Sequence, residues 1–198
     1  MMDMMIVDTG CANLASVRFA FERLGVSAKI SADPDALQQA DRLVLPGVGT
    51  AQAGMAALIA RGLDDMLLSY QRPLLGICLG MQLLYTRSRE GDTNCLGRLE
   101  GEVEPLPDSD GPVPHMGWNT LSLVADDPLL AGLEQNSYVY FVHSYAARPD
   151  ENALAITRYG MAFSAVVRRD NVYGCQFHPE RSGKAGARIL QNFLEISL

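Results

Sequence analysis

Short apolar runs alternate with helical stripes through the first half of the chain. MMIVD (residues 4–8) reads as a buried strand. NLASVRFAFERLG (13–25) follows, with Leu14, Val17, Phe21 and Leu24 on one face, Asn13 as N-cap and Gly25 past the end. VSAKI (26–30) predicts a second strand and DRLVLPG (41–47) a third, stopped by Pro46. TAQAGMAALIARG (50–62) reads as helix, LLGIC (74–78) as strand and LGMQLLYTRSRE (79–90) as helix. Alternating β and α segments predict parallel strands joined by crossover helices.

Beyond about residue 95 the period shortens. SYVYFVHSYAA (137–147), NALAITRYG (152–160) and FSAVVRRDNVYGCQFH (163–178) read as successive strands, with a hairpin near Arg169–Asp170–Asn171. EPLPDSDGPVP (104–114) is a proline-rich surface loop, and KAGARILQNFLEIS (184–197) a closing helix. The expected fold is one α/β domain over residues 1–198. It is a three-layer open mixed sheet with a parallel core, helices on both faces and antiparallel additions in the C-terminal half.

Composition narrows the chemistry. The chain has 198 residues, 48% of them hydrophobic and 20% charged, enough for a full core without a structural metal. No apolar run reaches the roughly 18 residues of a membrane span, and the N-terminus lacks the basic region of a secretory signal. A cytoplasmic protein is expected, with no membrane partner. The formal net charge of −7 comes without any polybasic cluster, which argues against nucleic acid. Cys11, Cys78, Cys95 and Cys175 lie far apart, and none of the three histidines sits at metal-ligand spacing with them, so neither zinc nor a disulfide framework is expected. Cys11, Cys95 and Cys175 read as packing residues, Cys11 also as lying near an interface.

Cys78 stands apart because G-I-C-L-G sets it at a predicted strand-to-helix turn between glycines. Free cysteine is among the most buried residue types, but a thiol on such an elbow faces the amides of the following helix, starting near Leu79, and becomes a nucleophile if a base is near. GCQFHPE supplies the base, His178, which Pro179 biases toward extended backbone. If that extension continues, Glu180 projects on the same side and can hold the imidazole.

PGVG, GICLGMQ and FHPE in that order resemble the class I glutamine amidotransferases. The resemblance implies a Cys78–His178–Glu180 triad that hydrolyses the side-chain amide of glutamine, with no cofactor and no metal. It also implies an oxyanion hole from the backbone of Val48, Gly49 and Leu79, and glutamine contacts from Gln82, Glu90 and the backbone around Ser144. DTGCANL, LPGVGT, CLGMQ, PHMGWN and YFVHSY together are similar to one subfamily, the glutaminase subunits of imidazole glycerol phosphate synthases. That subfamily implies a heterodimer in histidine biosynthesis with a (β/α)₈-barrel cyclase on a separate chain, to which ammonia is passed. The surface toward the barrel would then include Asn13, Trp118, Tyr140 and Arg181. Trp118 reads as an aromatic anchor in a Met-Gly-Trp-Asn loop, His143 as a hydrogen-bonded structural histidine and His115 as shaping the interface loop. Three alternatives stay open at this point: a stand-alone cysteine hydrolase acting on γ-glutamyl peptides, an interaction subunit with a decayed triad, and the glutaminase of another synthase.

Overall fold

The structure, a computed structural model, describes residues 3–10, 13–109 and 111–197; Cys11 lies outside them. The elements in chain order are β1 (Met4–Val7), α1 (Leu14–Arg23), β2 (Lys29–Ser31), α2 (Pro34–Gln39), β3 (Arg42–Gly47), α3 (Ala51–Ala60), α4 (Leu63–Ser69), β4 (Leu74–Cys78) and α5 (Leu79–Gln82). The short strands β5 (Arg87–Ser88), β6 (Thr93–Asn94) and β7 (Glu102–Pro105) follow, then β8 (His115–Thr120) and β9 (Ser122–Leu123). The C-terminal part holds β10 (Tyr138–His143), β11 (Tyr145–Ala147), β12 (Ala153–Tyr159), β13 (Met161–Arg169), β14 (Val172–Cys175) and α6 (Gly183–Glu195).

Eight strands form the central sheet in the order β2-β1-β3-β4-β14-β13-β12-β9. The pairings from β2 through β14 are parallel, and those of β13, β12 and β9 are antiparallel. The mixed sheet is therefore the expected one. Its pleat sorts side chains to two faces, as a period of two requires. Met4, Ile6, Val44, Leu75 and Ile77 pack with Phe21 of α1 and Ile189 and Phe193 of α6. Met5, Val7, Leu43, Leu45 and Leu74 pack on the other side with Leu37, Met55, Leu58, Leu63 and Leu67 of α2, α3 and α4. Two smaller sheets, β10-β8 and β11-β7-β5-β6, add Val139, Phe141 and Ala146 to the first of these clusters and Val103 and Ala147 to the second.

Several local expectations are corrected. β3 does not stop at Pro46 but runs through it, pairing Pro46 with Ile77 and Gly47 with Cys78 in parallel register. α2 and α4 were not foreseen; α2 has Asp33 as N-cap, its side chain accepting from Asp35 N, and Pro34 in the first turn. The predicted helix over 79–90 is a single α-helical turn, Leu79–Gln82. Leu83, Leu84 and Tyr85 are all buried, so the segment has no polar face for a surface helix. Their carbonyls accept instead from Leu96 N, Leu99 N and Gly97 N, at 2.9, 2.8 and 2.8 Å. Trp118 lies on strand β8, not in a loop.

Candidate active site

The ends of β4 and β14, parallel neighbours, bring together residues that are far apart in sequence. Cys78 closes β4 with φ 55° and ψ −114°, a strained backbone for a residue carrying a Cβ. Close packing around the turn holds it there. A Cβ on Gly80 would lie 1.8 Å from the Leu45 carbonyl oxygen, and one on Gly76 2.7 Å from Met81 Cα. Glycine at both positions lets α5 press directly on β3 and β4, so the elbow is set by backbone contact. The one-turn α5 cannot sum a long macrodipole, and any help to the sulfur comes from its first amides alone.

His178 follows β14, but the chain does not stay extended. Pro179–Arg181 forms a 3₁₀ turn, and that turn, not strand periodicity, swings the Glu180 carboxylate back to His178 Nδ1 at 2.8 Å. Both side chains are buried, at 9% and 3% exposure. With Nδ1 engaged, Nε2 is the nitrogen left for catalysis, and among the described residues it has no conventional hydrogen-bond partner. Burial disfavours an imidazolium here, but interaction with Cys78 and with Glu180 outweighs it and raises His178 from 6.5 to about 10. His178 therefore carries its proton toward the sulfur.

A cavity of roughly 270 Å³ opens over the sulfur. It is lined by Val48, Gly49, Cys78, Leu79, Gln82, Glu90, Ser144 and His178, all expected from the sequence, together with Pro114, Val142, His143 and Tyr145. Glu180 stands behind His178 and does not line it. Glu90 Oε2 accepts from Ala51 N at 2.7 Å at the start of α3, which ties the carboxylate to the helix that follows Val48 and Gly49. Gln82 spends both amide hydrogens inward, on Tyr145 O at 2.8 Å and Gln176 Oε1 at 3.0 Å. Only its Oε1 remains for a ligand. His143 donates from Nδ1 to Tyr145 O at 2.9 Å and meets His115 Nδ1 at 3.0 Å through Nε2. Burial lowers its pKa from 6.5 to about 3, so it stays a neutral structural ring.

The residues expected at an interface lie on neighbouring elements. Trp118 on β8 pairs across the ribbon with Tyr140 on β10, their rings edge-to-face at 5.9 Å. Trp118 is 56% exposed, as are Met116 (62%) and Tyr138 (63%) beside it. Tyr140 O accepts from His178 N at 3.0 Å, and Tyr140 N donates to Ser182 Oγ at 2.9 Å. Arg181 is exposed on the turn after His178. Asn13 caps α1, its side chain accepting from Ser16 N at 3.3 Å, and α1 packs against that turn.

The sequence reading missed Val142, Tyr145 and Gln176. The first two lie in YFVHSY beside residues that were singled out, and Gln176 lies two residues before His178. Gln176 is fully buried, with Nε2 4.0 Å from Cys78 Sγ. An apolar stretch ending in H-P-E gives no cue that the glutamine within it faces the sulfur.

No helix among the described residues is long and apolar enough to cross a membrane. The overall fold is shared with a structure titled PurLQS from Thermotoga maritima (TM-score 0.70, 20% identity, 98% of each chain). It is also shared with a crystal structure of a glutamine amidotransferase (TM-score 0.75, 24% identity, 96% of this chain and 97% of that one). By sequence, the chain is 51% identical to the imidazole glycerol phosphate synthase subunit HisH of Pasteurella multocida, over 98% of both chains. It is 52% identical to the protein of the same name from Mannheimia succiniciproducens, over 97% of this chain and 99% of that one. Residues 5–196 match the family glutamine amidotransferase class-I. With the nucleophile elbow and the His178–Glu180 pair facing one cavity, the chain belongs to the class I glutamine amidotransferases.

Proposed function

We propose that this chain is the glutaminase subunit of imidazole glycerol phosphate synthase. It hydrolyses glutamine through Cys78, His178 and Glu180 and passes ammonia to a (β/α)₈-barrel cyclase on another chain. The observation that carries the chemistry is the 2.8 Å His178–Glu180 contact next to a cysteine held at φ 55° over a cavity. The identity of the synthase rests on the near-full-length likeness to the HisH subunits.

Glutamine enters with its carboxamide over Cys78. The ammonium group of the substrate meets Glu90, and the backbone at Ser144 borders the other end. Gln82 Oε1, its only free polar atom, accepts from the carboxamide N–H. The Cys78 thiolate attacks the amide carbon, and the developing oxyanion takes hydrogen bonds from amides at Leu79 and at Val48 or Gly49. Each such donor is typically worth about 3 kcal/mol of barrier. His178 Nε2–H gives its proton to the departing nitrogen, which leaves as ammonia, and a thioester remains. The neutral imidazole then takes a proton from water, hydroxide adds to the thioester, and glutamate leaves with Cys78 restored. Glu180 keeps the proton on Nδ1 and stabilises the imidazolium in both halves.

The exposed ribbon of Met116, Trp118 and Tyr138 supports a protein partner on that side. Tyr140, Arg181 and Asn13 belong to the same partner surface, and the enzyme works in the cytoplasm as one catalytic domain with no cofactor. Glutamate release should be near-silent for the chain alone and rise steeply with the barrel cyclase and its ribotide ligand. Full activity alone, indifferent to the cyclase, would mean a free-standing cysteine hydrolase and refute the assignment. Cys78→Ala should abolish glutamate release in every mixture.

A further inference from the structure

The cavity wall contains a chain of buried hydrogen bonds whose direction is forced at every step. The Tyr145 carbonyl can only accept. His143 Nδ1, 2.9 Å away, therefore carries its ring proton, which leaves Nε2 as the acceptor. His115 Nδ1, at 3.0 Å, must then donate to it, and His115 Nε2 accepts from Asn119 Nδ2 at 3.3 Å. The same carbonyl takes one hydrogen of the Gln82 amide, and the other goes to Gln176 Oε1. With its oxygen occupied, Gln176 has only its NH₂ to present to Cys78 Sγ.

On its other side the sulfur meets the Val142 carbonyl at 3.7 Å. A protonated thiol donates there, but a thiolate beside that oxygen is repelled, so a second donor in addition to His178 would favour ionisation. We propose that Gln176 is that donor, a positioning and charge-stabilising partner of the Cys78 thiolate whose orientation is fixed, through the Gln82 amide, by the Tyr145 carbonyl. This rests on the reading of Cys78 as the nucleophile.

The rest of the surroundings fits. Gln176 is fully buried and its backbone N–H is fixed on Ala165 O at 2.9 Å, so the amide has little freedom to turn away. Phe141 and Tyr159 sandwich the His115 ring, at 4.9 and 4.1 Å. Burial lowers His115 from 6.5 to about 4, so its Nε2 stays unprotonated and free to accept from Asn119. The other titratable groups around the sulfur are His178 with Glu180 behind it, Glu90, His143 and Tyr145 in the cavity wall, and Cys175 on β14.

The test is the rate of Cys78 alkylation by iodoacetamide as a function of pH, in the full chain, with modification mapped to Cys78. Gln176→Leu should shift the inflection to higher pH and slow alkylation near neutrality by about tenfold. Gln176→Glu, nearly isosteric but with a carboxylate toward the sulfur, should slow it further and serves if the leucine variant does not fold. A purely structural role would lower the melting temperature and leave the pH profile where it was. Profiles superimposable on wild type in a folded variant would overturn the inference. Alkylation needs neither glutamine nor cyclase. A wild type that fails to hydrolyse glutamine with its partner refutes the functional reading, whereas unchanged Gln176 profiles refute only this one.

Discussion

Gly80→Ala tests whether backbone contact sets the nucleophile. The new Cβ would lie 1.8 Å from the Leu45 carbonyl oxygen, where side-chain carbons keep at least 3.0 Å. Relief demands about 1.2 Å of separation between α5 and β3. No rotamer change can supply it, because the obstacle is main chain within a fully paired strand. Overpacking typically costs about 1–3 kcal/mol, and a carbonyl obstacle puts this variant at the upper end, about 3 kcal/mol. The same displacement moves Leu79 N away from the Val48–Gly49 backbone, and misplacement of about 1 Å in a reacting constellation can cost roughly 10²-fold in rate. Gly54→Ala is the control. Its Cβ would meet side-chain tips alone, the Leu83 Cδ1 methyl at 2.8 Å and Leu79 Cδ2 and Leu83 Cδ2 at 3.4 Å. Those groups can turn, and alanine gains about 1 kcal/mol of helix propensity in α3. Urea melts followed by fluorescence, with glutamate release in the presence of the cyclase, give both numbers. Wild-type stability together with wild-type turnover in Gly80→Ala would refute the account of the elbow.

Three further outcomes are expected. Trp118→Ala should leave stability within about 0.5 kcal/mol, as exposed positions do, while weakening cyclase association by about 2 kcal/mol or more; titration calorimetry beside a thermal melt separates the two. The raised pKa of His178 contributes stability that is complete below the ordinary imidazole value of 6.5 and is lost as pH climbs through about 10. In Glu180→Gln the contribution should be smaller and its loss complete at lower pH, seen in urea midpoints across an alkaline series, and equal curves would remove Glu180 from the pair. Arg42, almost fully buried, donates to the carbonyls of Phe193 and Ile196 at the end of α6. Arg42→Met should cost about 1.5–3 kcal/mol by leaving them unpaired, with the active site untouched, so a neutral urea midpoint would contradict it.

The mixed sheet covered on both faces was legible because short, continuously apolar runs such as Met4–Val7 and Leu43–Leu45, alternating with helical stripes, belong to strands buried on both sides. The nucleophile and the base were legible for a different reason: glycine and proline carry backbone meaning that survives without coordinates. What escaped was governed by tertiary contact. Leu83–Tyr85 carries the composition of a helix, but its carbonyls found partners in a distant loop. Glu180 reaches His178, but through a turn that no period of two describes. Trp118 was picked out for being solitary, and its strand pairing with Tyr140 depends on a partner 22 residues on. Gln176 gave no cue, because a buried amide earns its role only from the atoms around it.

The pairing of β4 with β14 has a consequence for how this protein is made. These parallel neighbours, Leu74–Ile77 against Val172–Cys175, are separated by almost a hundred residues. While the chain is still emerging from a ribosome, β4 is the open edge of a growing parallel sheet, and such an edge invites other strands. The elbow exists in outline at that stage, but the element that seats His178 and Gln176 has not yet been synthesised. Closing so long a loop is slow compared with forming the local helices. Competence therefore arrives in one late docking event, and the same event seals the edge.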